Sequence, residues 1–429
     1  MKPVSSWGRL SHDLHHWVDW SSHEALAKTQ GLGLAFGMGR SYGDVCLNAG
    51  GTLWGMSNLD KLIDFDAATG RLRCEAGVLL QTIQQLFIPR GWMLPVTPGT
   101  QRVTVGGAIA NDVHGKNHHV VGTFGHHVLG LQLFRTDGAL IECGPTLNPE
   151  WFSATLGGLG LTGVIVAVEL QLRPVAGDCL EVESVVFNDL PAFFEWTDAS
   201  LKSWEYSVAW LDCLSKNTRG LLKRANHVNE YANKKPVQRE FNVRCTPPFS
   251  LVNQASLRVF NSLYFHWGVR GLGVHRVHYE PFFYPLDKIA DWNRLYGSKG
   301  FYQYQCVLPG TEGLLGLNAL LDEIKRHRAG SFLAVLKTFG AIASLGMLSF
   351  PKAGVSLALD LPNQGEKTKQ LLARLDELVL NFSGRLYCAK NAQMNPELFR
   401  AGYPLLDEFL KYRDPGISSG LSRRLMGYS

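Results

Sequence analysis

The sequence lacks the cysteine spacing of a zinc or disulfide protein. Its eight cysteines (Cys46, Cys74, Cys143, Cys179, Cys213, Cys245, Cys306 and Cys388) lie far apart, and no two form a CxxC pair. That argues for a reducing compartment and against a metal knuckle. Charge is sparse, at 18% of residues, and the net +5 is too mild to imply a nucleic-acid partner. The longest apolar run, SFLAVLKTFGAIASLGMLSF (331–350), carries Lys337 near its middle, which argues against a membrane span. The opening MKPVSSWGRLSHDLHHW has no apolar core of secretory type, and no internal repeat is found. The expectation from these absences is a soluble, cytoplasmic protein.

Glycine and aromatics are plentiful instead. Forty-five glycines in 429 residues exceed the usual share of about 7% and predict many tight backbone positions. Twenty-two Phe, thirteen Tyr and eleven Trp suit a site for a flat or greasy ligand.

The chain divides near Pro174–Gly177. Before it, LWGMSNLDKLIDFDAATGRLRCEAGV predicts three short strands, and LLQTIQQLFIPRG a helix stopped by Pro89 and Gly91. HVLGLQLFRTDGALIECG predicts a hairpin turning at TDG, NPEWFSATLGG a capped helix and LTGVIVAVELQLRPV a strand. Beyond the boundary, YSVAWLDCL, FYQYQCVL, FLAVLKTFG and GVSLALDLP are strand-like, and two helical stretches with apolar faces lie between or after them. The expectation is an α+β chain: residues 1–175, a second unit over 176–384 with a sheet backed by helices, and a return over 385–429. Residues 219–244 hold seven Lys/Arg against two Glu and predict a mobile basic loop near 216–246. The same charge also suits a lid over an anionic substrate or a membrane surface. FSLVNQASLRVFNSLYFHWG, which follows, suits either an amphipathic helix touching lipid or a core helix.

Three glycine-rich stretches bear on chemistry. GLGLTG (158–163) matches GxGxxG, but a helix precedes it and a strand follows. A dinucleotide fingerprint needs the reverse order, so nicotinamide binding of that kind is not expected. In GMGRSYGD (37–44), Gly37, Gly39 and Gly43 permit positive φ and bare backbone N–H groups, with Arg40 and Ser41 as added donors; the turn is either an anion nest or a plain hairpin turn. PGT (98–100) and VTVGGAIANDVHGKNHH (103–119) form a second cradle, where Gly106 and Gly107 allow close approach of a diphosphate or ring. His114 and His118 are four apart, but Gly115 lies between them and no metalloprotease glutamate accompanies them, so metal is not expected. His118 and His119 read as polar contacts of a tight turn; His114 and Lys116 are candidates to polarise a cofactor or hold an oxyanion.

Together, GMGRSYGD, PVTPGTQRVTVGGAIANDVHGKNHH, GTFGHHV and LGGLGLTGVI resemble the FAD domain of the vanillyl-alcohol-oxidase superfamily. SVAWLD, FFYPLDKIADWNRLYGSKGFYQYQCVLP, FLAVLKTFG and GRLYCAK extend the likeness in the same order over nearly the whole chain. Within the superfamily the likeness is to flavin subunits of two-enzyme epimerases acting on polyprenyl-phosphate pentoses, a reaction of cell-envelope assembly. The resemblance implies a two-domain fold, an FAD-binding domain of the family's type with a substrate domain, and a diphosphate held by Gly37, Met38, Gly39, Arg40, Ser41, Tyr42, Pro98, Gly99 and Thr100. It implies further FAD contacts from Thr104, Val105, Gly106, Gly107, Asn111, Asp112, Val113, His114, Ile165 and Tyr387. Relatives that attach FAD covalently use a histidine in the first turn; Arg40-Ser41-Tyr42-Gly43 has none, which implies non-covalent FAD.

The implied activity is oxidation of a sugar secondary alcohol, the 2-hydroxyl of a lipid-linked pentose, to a ketone. A separate NAD(P)-dependent short-chain reductase would complete the epimerisation, and quinone or oxygen would accept the electrons. Peripheral membrane association is part of the same expectation. Lys390 in YCAK matches the family's active-site lysine, with His114 and Lys116 as catalytic partners and Tyr42, Trp210, Phe283, Gln305 and Lys337 lining the substrate pocket. Convergence of Lys116, Lys337 and Lys390 would depress their pKa values and attract a substrate phosphate. Two positions depart from the family. Phe283 stands where tyrosine is common, and Ala358 where mycobacterial members carry a cysteine that covalent inhibitors modify. The alternatives are a free-sugar or aldonolactone oxidase or dehydrogenase of the same superfamily and a non-catalytic flavin-binding subunit.

Overall fold

A computed structural model describes residues 1–232 and 241–427. Strands β1 (Lys2–Pro3), β2 (Leu14–Asp19), β3 (Gly33–Phe36) and β4 (Thr52–Gly55) form a mixed sheet in the order β1-β2-β4-β3. In it, β2 and β3 both run parallel to β4. β5 (Leu62–Asp66), β6 (Arg71–Glu75), β8 (Val128–Phe134), β9 (Leu140–Cys143) and β10 (Val164–Gln171) form an antiparallel sheet, order β5-β6-β10-β8-β9. β7 (Trp92–Met93) pairs with β11 (Arg173–Pro174).

The predicted local structure is present here. The Leu80–Phe87 helix buries Leu80, Ile83 and Phe87 and ends at the Ile88–Arg90 turn, with Gly91 left-handed at φ 83°. The hairpin turns at Gly138, φ 91°. The Pro149–Thr155 helix opens with proline in its first turn, but Asn148 does not cap it; the Asn148 amide donates instead to Glu142 O at 2.8 Å.

The rest of the chain is dominated by an eight-stranded antiparallel sheet. Its strands are β12 (Cys179–Phe187), β13 (Tyr206–Leu211), β14 (Gly220–Val228), β16 (Gly273–His278), β18 (Phe301–Pro309), β19 (Val335–Phe339), β20 (Gly354–Pro362) and β21 (Arg385–Leu386), in the order β16-β12-β14-β13-β19-β20-β18-β21. β15 (Phe241–Asn242) and β17 (Ile289–Ala290) make a small parallel pair. The Gly313–Arg326 and Glu366–Asn381 helices bury their leucine stripes against one face of the large sheet. The chain is thus a two-domain α+β protein.

The expected mobile basic loop is corrected over its first part. Residues 220–228 are the inner strand β14, laddered on both sides by β12 and β13. Its arginine is matched rather than solvated, Arg224 pairing with Glu183 at 2.6 Å, as is neighbouring Arg219 with Asp212 at 3.2 Å, while Lys223 lines a cavity. Residues 233–240 of that segment lie outside the described residues.

Period-two alternation decides what each face of the large sheet carries. Tyr302, Tyr304 and Cys306 of β18, Leu336 of β19, and Leu357, Leu359 and Leu361 of β20 join the core under the helices. Their alternates, Gln303, Gln305, Lys337, Ala358 and Asp360, face the other way, into a cavity. A one-residue slip would bury charge in the leucine core.

Candidate active site

One cavity of about 570 Å³ runs from the glycine turns to the inner face of the large sheet. The first turn lies at one end. Only Gly39 of its three glycines is left-handed, at φ 59°. Gly37 and Gly43 are needed for close approach, which corrects the expectation of positive φ throughout. A Cβ on Gly37 would lie 2.7 Å from Thr104 Oγ1, and one on Gly43 2.3 Å from Asn391 O. Arg40 stacks over the Trp7 ring at 3.9 Å, its Nε buried without a partner among the described residues.

The second cradle begins with the 98–102 turn, pinned where Gln101 N donates to Asp287 Oδ2 at 3.0 Å. Thr104 then caps the short Val105–Ala110 helix, its Oγ1 accepting from Gly107 N at 3.1 Å. Gly106 and Gly107 thereby present backbone to the cavity. Two expected cofactor residues do not reach it. Val105 is buried in the core of the second sheet, because the helix turns its side chain away from the cradle. Asp112 is buried as a brace: its carboxylate accepts from Ser349 Oγ at 2.5 Å and Gly125 N at 2.9 Å. The other residues expected to touch FAD, including Met38, Pro98, Gly99, Thr100, Asn111, Val113, Ile165 and Tyr387, all line the cavity.

This lining fits a flavin dinucleotide. A Cβ added to Gly99 or Gly160 meets nothing within 4 Å, so bare backbone faces open space. Arg40 Nε, Asn111 Oδ1 and His114 Nδ1 are buried polar atoms without a partner among the described residues; an extended polar ligand supplies such partners. Tyr387 Oη donates to Asn111 O at 2.9 Å and ties the C-terminal segment to this wall.

The far end is floored by a row across five strands: Gln305, Ala358, Val335, Trp210 and Leu221, partnered in turn. Gln303 pairs with Asp360 across β18 and β20, and its amide donates to that carboxylate at 2.6 Å. Lys390 enters from the Cys388–Lys390 turn, held where Tyr387 N donates to Gln305 O at 2.9 Å, and its Nζ sits 4.1 Å over the Tyr42 ring.

Burial perturbs nearly every charge here. It pulls Lys390 down to about 7, with Lys337 pulling the same way and Asp360 opposing. Burial alone brings Lys337 to about 8, and burial raises Asp360 to about 7. His114 is held well below the usual imidazole range by burial and then by Lys337. Its neutral Nε2 accepts from Gln305 Nε2 at 3.1 Å. Lys116 falls well below the lysine range through burial, then Lys337 and Lys223. The three expected lysines therefore line one cavity, with desolvation ahead of mutual repulsion in shifting them.

Lys116 is already engaged: it donates to Phe282 O and, at 3.1 Å, to Phe283 O. It ties the Tyr279–Phe283 helix to the cradle, and Phe283 lines the cavity beside it. His118 is a neutral core group packed on Phe339, burial lowering it to about 4, and His119 Nε2 bonds Trp204 O at 3.0 Å. Among the described residues no cluster of three or more His, Cys, Asp or Glu side chains is placed to hold a metal. Sequence reasoning missed Gln303, Asp360 and Lys223, although each lies two residues from a cavity position on its own strand.

A family model described as an FAD binding domain matches residues 24–144. The chain is 34% identical to decaprenylphosphoryl-beta-D-ribose oxidase of Mycolicibacterium smegmatis, over 99% of this chain and 97% of the relative. It is 35% identical to a Streptomyces coelicolor protein described as an uncharacterized protein in the mprA 5′ region, over 81% of this chain and all of that one. L-gulonolactone oxidase of Mus musculus is 31% identical over 42% of this chain and 40% of its own.

Proposed function

The chain belongs to the vanillyl-alcohol-oxidase-type family of FAD-dependent oxidoreductases that includes decaprenylphosphoryl-ribose oxidase, and from that premise we propose that it oxidises the 2-hydroxyl of a pentose on a polyprenyl phosphate. One observation supports this reading above the others: lysines and aromatic side chains line the same cavity. Lys337, Lys223 and Lys390 line it together with Trp210, Phe260, Tyr264 and Phe332. An anionic phosphate with an apolar tail matches that combination; a free sugar leaves the apolar part unused.

FAD, when bound, supplies the hydride acceptor. At neutral pH a sizeable share of Lys390, near 7, is the neutral amine that takes the hydroxyl proton as the carbon loses hydride. Lys337 at about 8 stays mostly cationic and attracts the phosphate. Gln305, oriented by His114 and by Ser356 Oγ at 3.3 Å, offers an amide to the sugar hydroxyls. The ketone product calls for a separate NAD(P)-dependent short-chain reductase, and the reduced flavin for a quinone or oxygen.

The test is anaerobic flavin bleaching by a polyprenylphosphoryl pentose, the same pentose without lipid phosphate, and an aldonolactone. Bleaching by the lipid phosphate at least about tenfold faster per mole is expected. Faster bleaching by the lactone would replace this reading with the aldonolactone oxidase one.

A further inference from the structure

Part of the cavity's lining comes from a helix whose other side is apolar and exposed. In the Gln254–Arg270 helix, Leu257 and Asn261 are buried, Tyr264 packs at a tilt against Trp210 with ring centroids 4.7 Å apart, and Gly268 abuts Leu221. The opposite side carries Val259, Leu263 and Trp267, spaced four apart on one stripe and 61%, 53% and 69% exposed. Phe249 and Leu251 before the helix, and Leu272 and Val274 after it, are exposed as well. Apolar side chains scattered singly over a surface are ordinary; a set confined to one helix and its flanks is not.

We propose that this helix docks the protein onto an anionic bilayer, lying in the plane of the headgroups with Val259, Leu263 and Trp267 inserted. From Phe241 to Tyr279 the chain has no Asp or Glu and four arginines. Arg258 and Arg270 are exposed on the helix itself, while Arg276 is engaged with Glu230. An apolar stripe rimmed by arginine, with tryptophan at interface depth, is the chemistry of an interfacial helix. No helix of the described residues is long and apolar enough to cross a membrane. Phe260 and Tyr264 of the same helix line the cavity, so the docked helix would set the cavity's aromatic wall at the lipid surface. That use rests on the polyprenyl-phosphate reading above; the docking itself does not.

The experiment is co-sedimentation of FAD-loaded protein with vesicles of phosphatidylcholine alone, or with about one third phosphatidylglycerol. Wild type is expected to bind the anionic vesicles at least about tenfold more tightly than the Leu263→Glu/Trp267→Glu variant, and more tightly than neutral ones. Flavin bleaching by a short-chain, water-soluble prenylphosphoryl pentose should be unchanged in the variant, which also reports that it is folded; Leu263→Ser serves if the double variant loses flavin. Equal vesicle binding by wild type and variant overturns the proposal. So does indifference to lipid charge, or a variant that changes only the mass in solution, which would make the stripe a self-association surface. Vesicle binding without any bleaching by the prenylphosphoryl pentose would sink the substrate reading and leave the docking standing.

Discussion

Replacing Lys390 tests the proposed chemistry most directly. Burial pulls Lys390 down to about 7, so its neutral amine gains population as pH rises through neutrality. If the neutral amine is the base, the rate of flavin reduction at low substrate rises about tenfold per pH unit below 7 and levels above it. Burial depresses the value, so the active form is lost as pH falls through 7. Lys390→Met removes both base and cation and should slow flavin reduction by about 10²–10⁴. Lys390→Arg keeps a cation over Tyr42 that cannot deprotonate; it should slow reduction as much while largely preserving substrate affinity. Anaerobic stopped-flow of flavin bleaching from pH 5.5 to 9 (on the order of a pH unit per step resolves the limb) measures both parameters. A Lys390→Met enzyme within threefold of wild type, with its acid limb intact, would refute the assignment.

Other substitutions probe the surroundings. Asp360 holds Lys390 up, so Asp360→Asn should move the acid limb of the same profile to lower pH with little change in KM, a positioning effect that mere loss of structure would not produce. Ala358 sits mid-floor between Gln305 and Val335, so Ala358→Cys should take an electrophile that enters the cavity, visible as an intact-mass adduct. On a background in which the exposed Cys245 is replaced by serine, the protein without the Ala358→Cys change should not, because burial pushes Cys46, which also lines the cavity, up to about 12. Gly99→Leu projects into open space and should weaken FAD binding at least about tenfold while leaving the apoprotein's Tm nearly unchanged. Acid precipitation should leave the yellow colour in the supernatant, because the first turn offers no histidine; colour retained in the pellet would contradict non-covalent attachment.

Local order was legible wherever pattern and punctuation agreed. The Leu80–Phe87 helix, the TDG hairpin and the strands around them follow from apolar spacing and from glycine or proline at the ends. Composition misled where charges are met by partners outside the segment: the stretch looked like a solvated basic loop because Glu183 and Asp212, which neutralise Arg224 and Arg219, precede it in the sequence. Within the second cradle, the family resemblance implied that Thr104–Gly107 and Asn111–His114 all face the cofactor. Its short helix sends Val105 into the core, and a brace occupies Asp112.

The lysine cluster shows a different limit. Lys337 is visible as a charge inside an apolar run, and alternation alone places it opposite Leu336. The same rule carries Gln305 to Gln303 and Ala358 to Asp360, so three inward rows could have been written down strand by strand. What alternation cannot supply is register, which sets Gln303 beside Asp360 and Lys337 beside Ser356 and thereby decides which charges meet. Placing lysines and a carboxylate on one inner face is costly for folding alone, because desolvation penalises each charged form. That cost is what lowers Lys390 and raises Asp360 toward neutrality, the range in which a general base of the proposed kind would have to be poised. The charges are therefore legible one at a time as anomalies of a strand, and as a site only once the strands are paired.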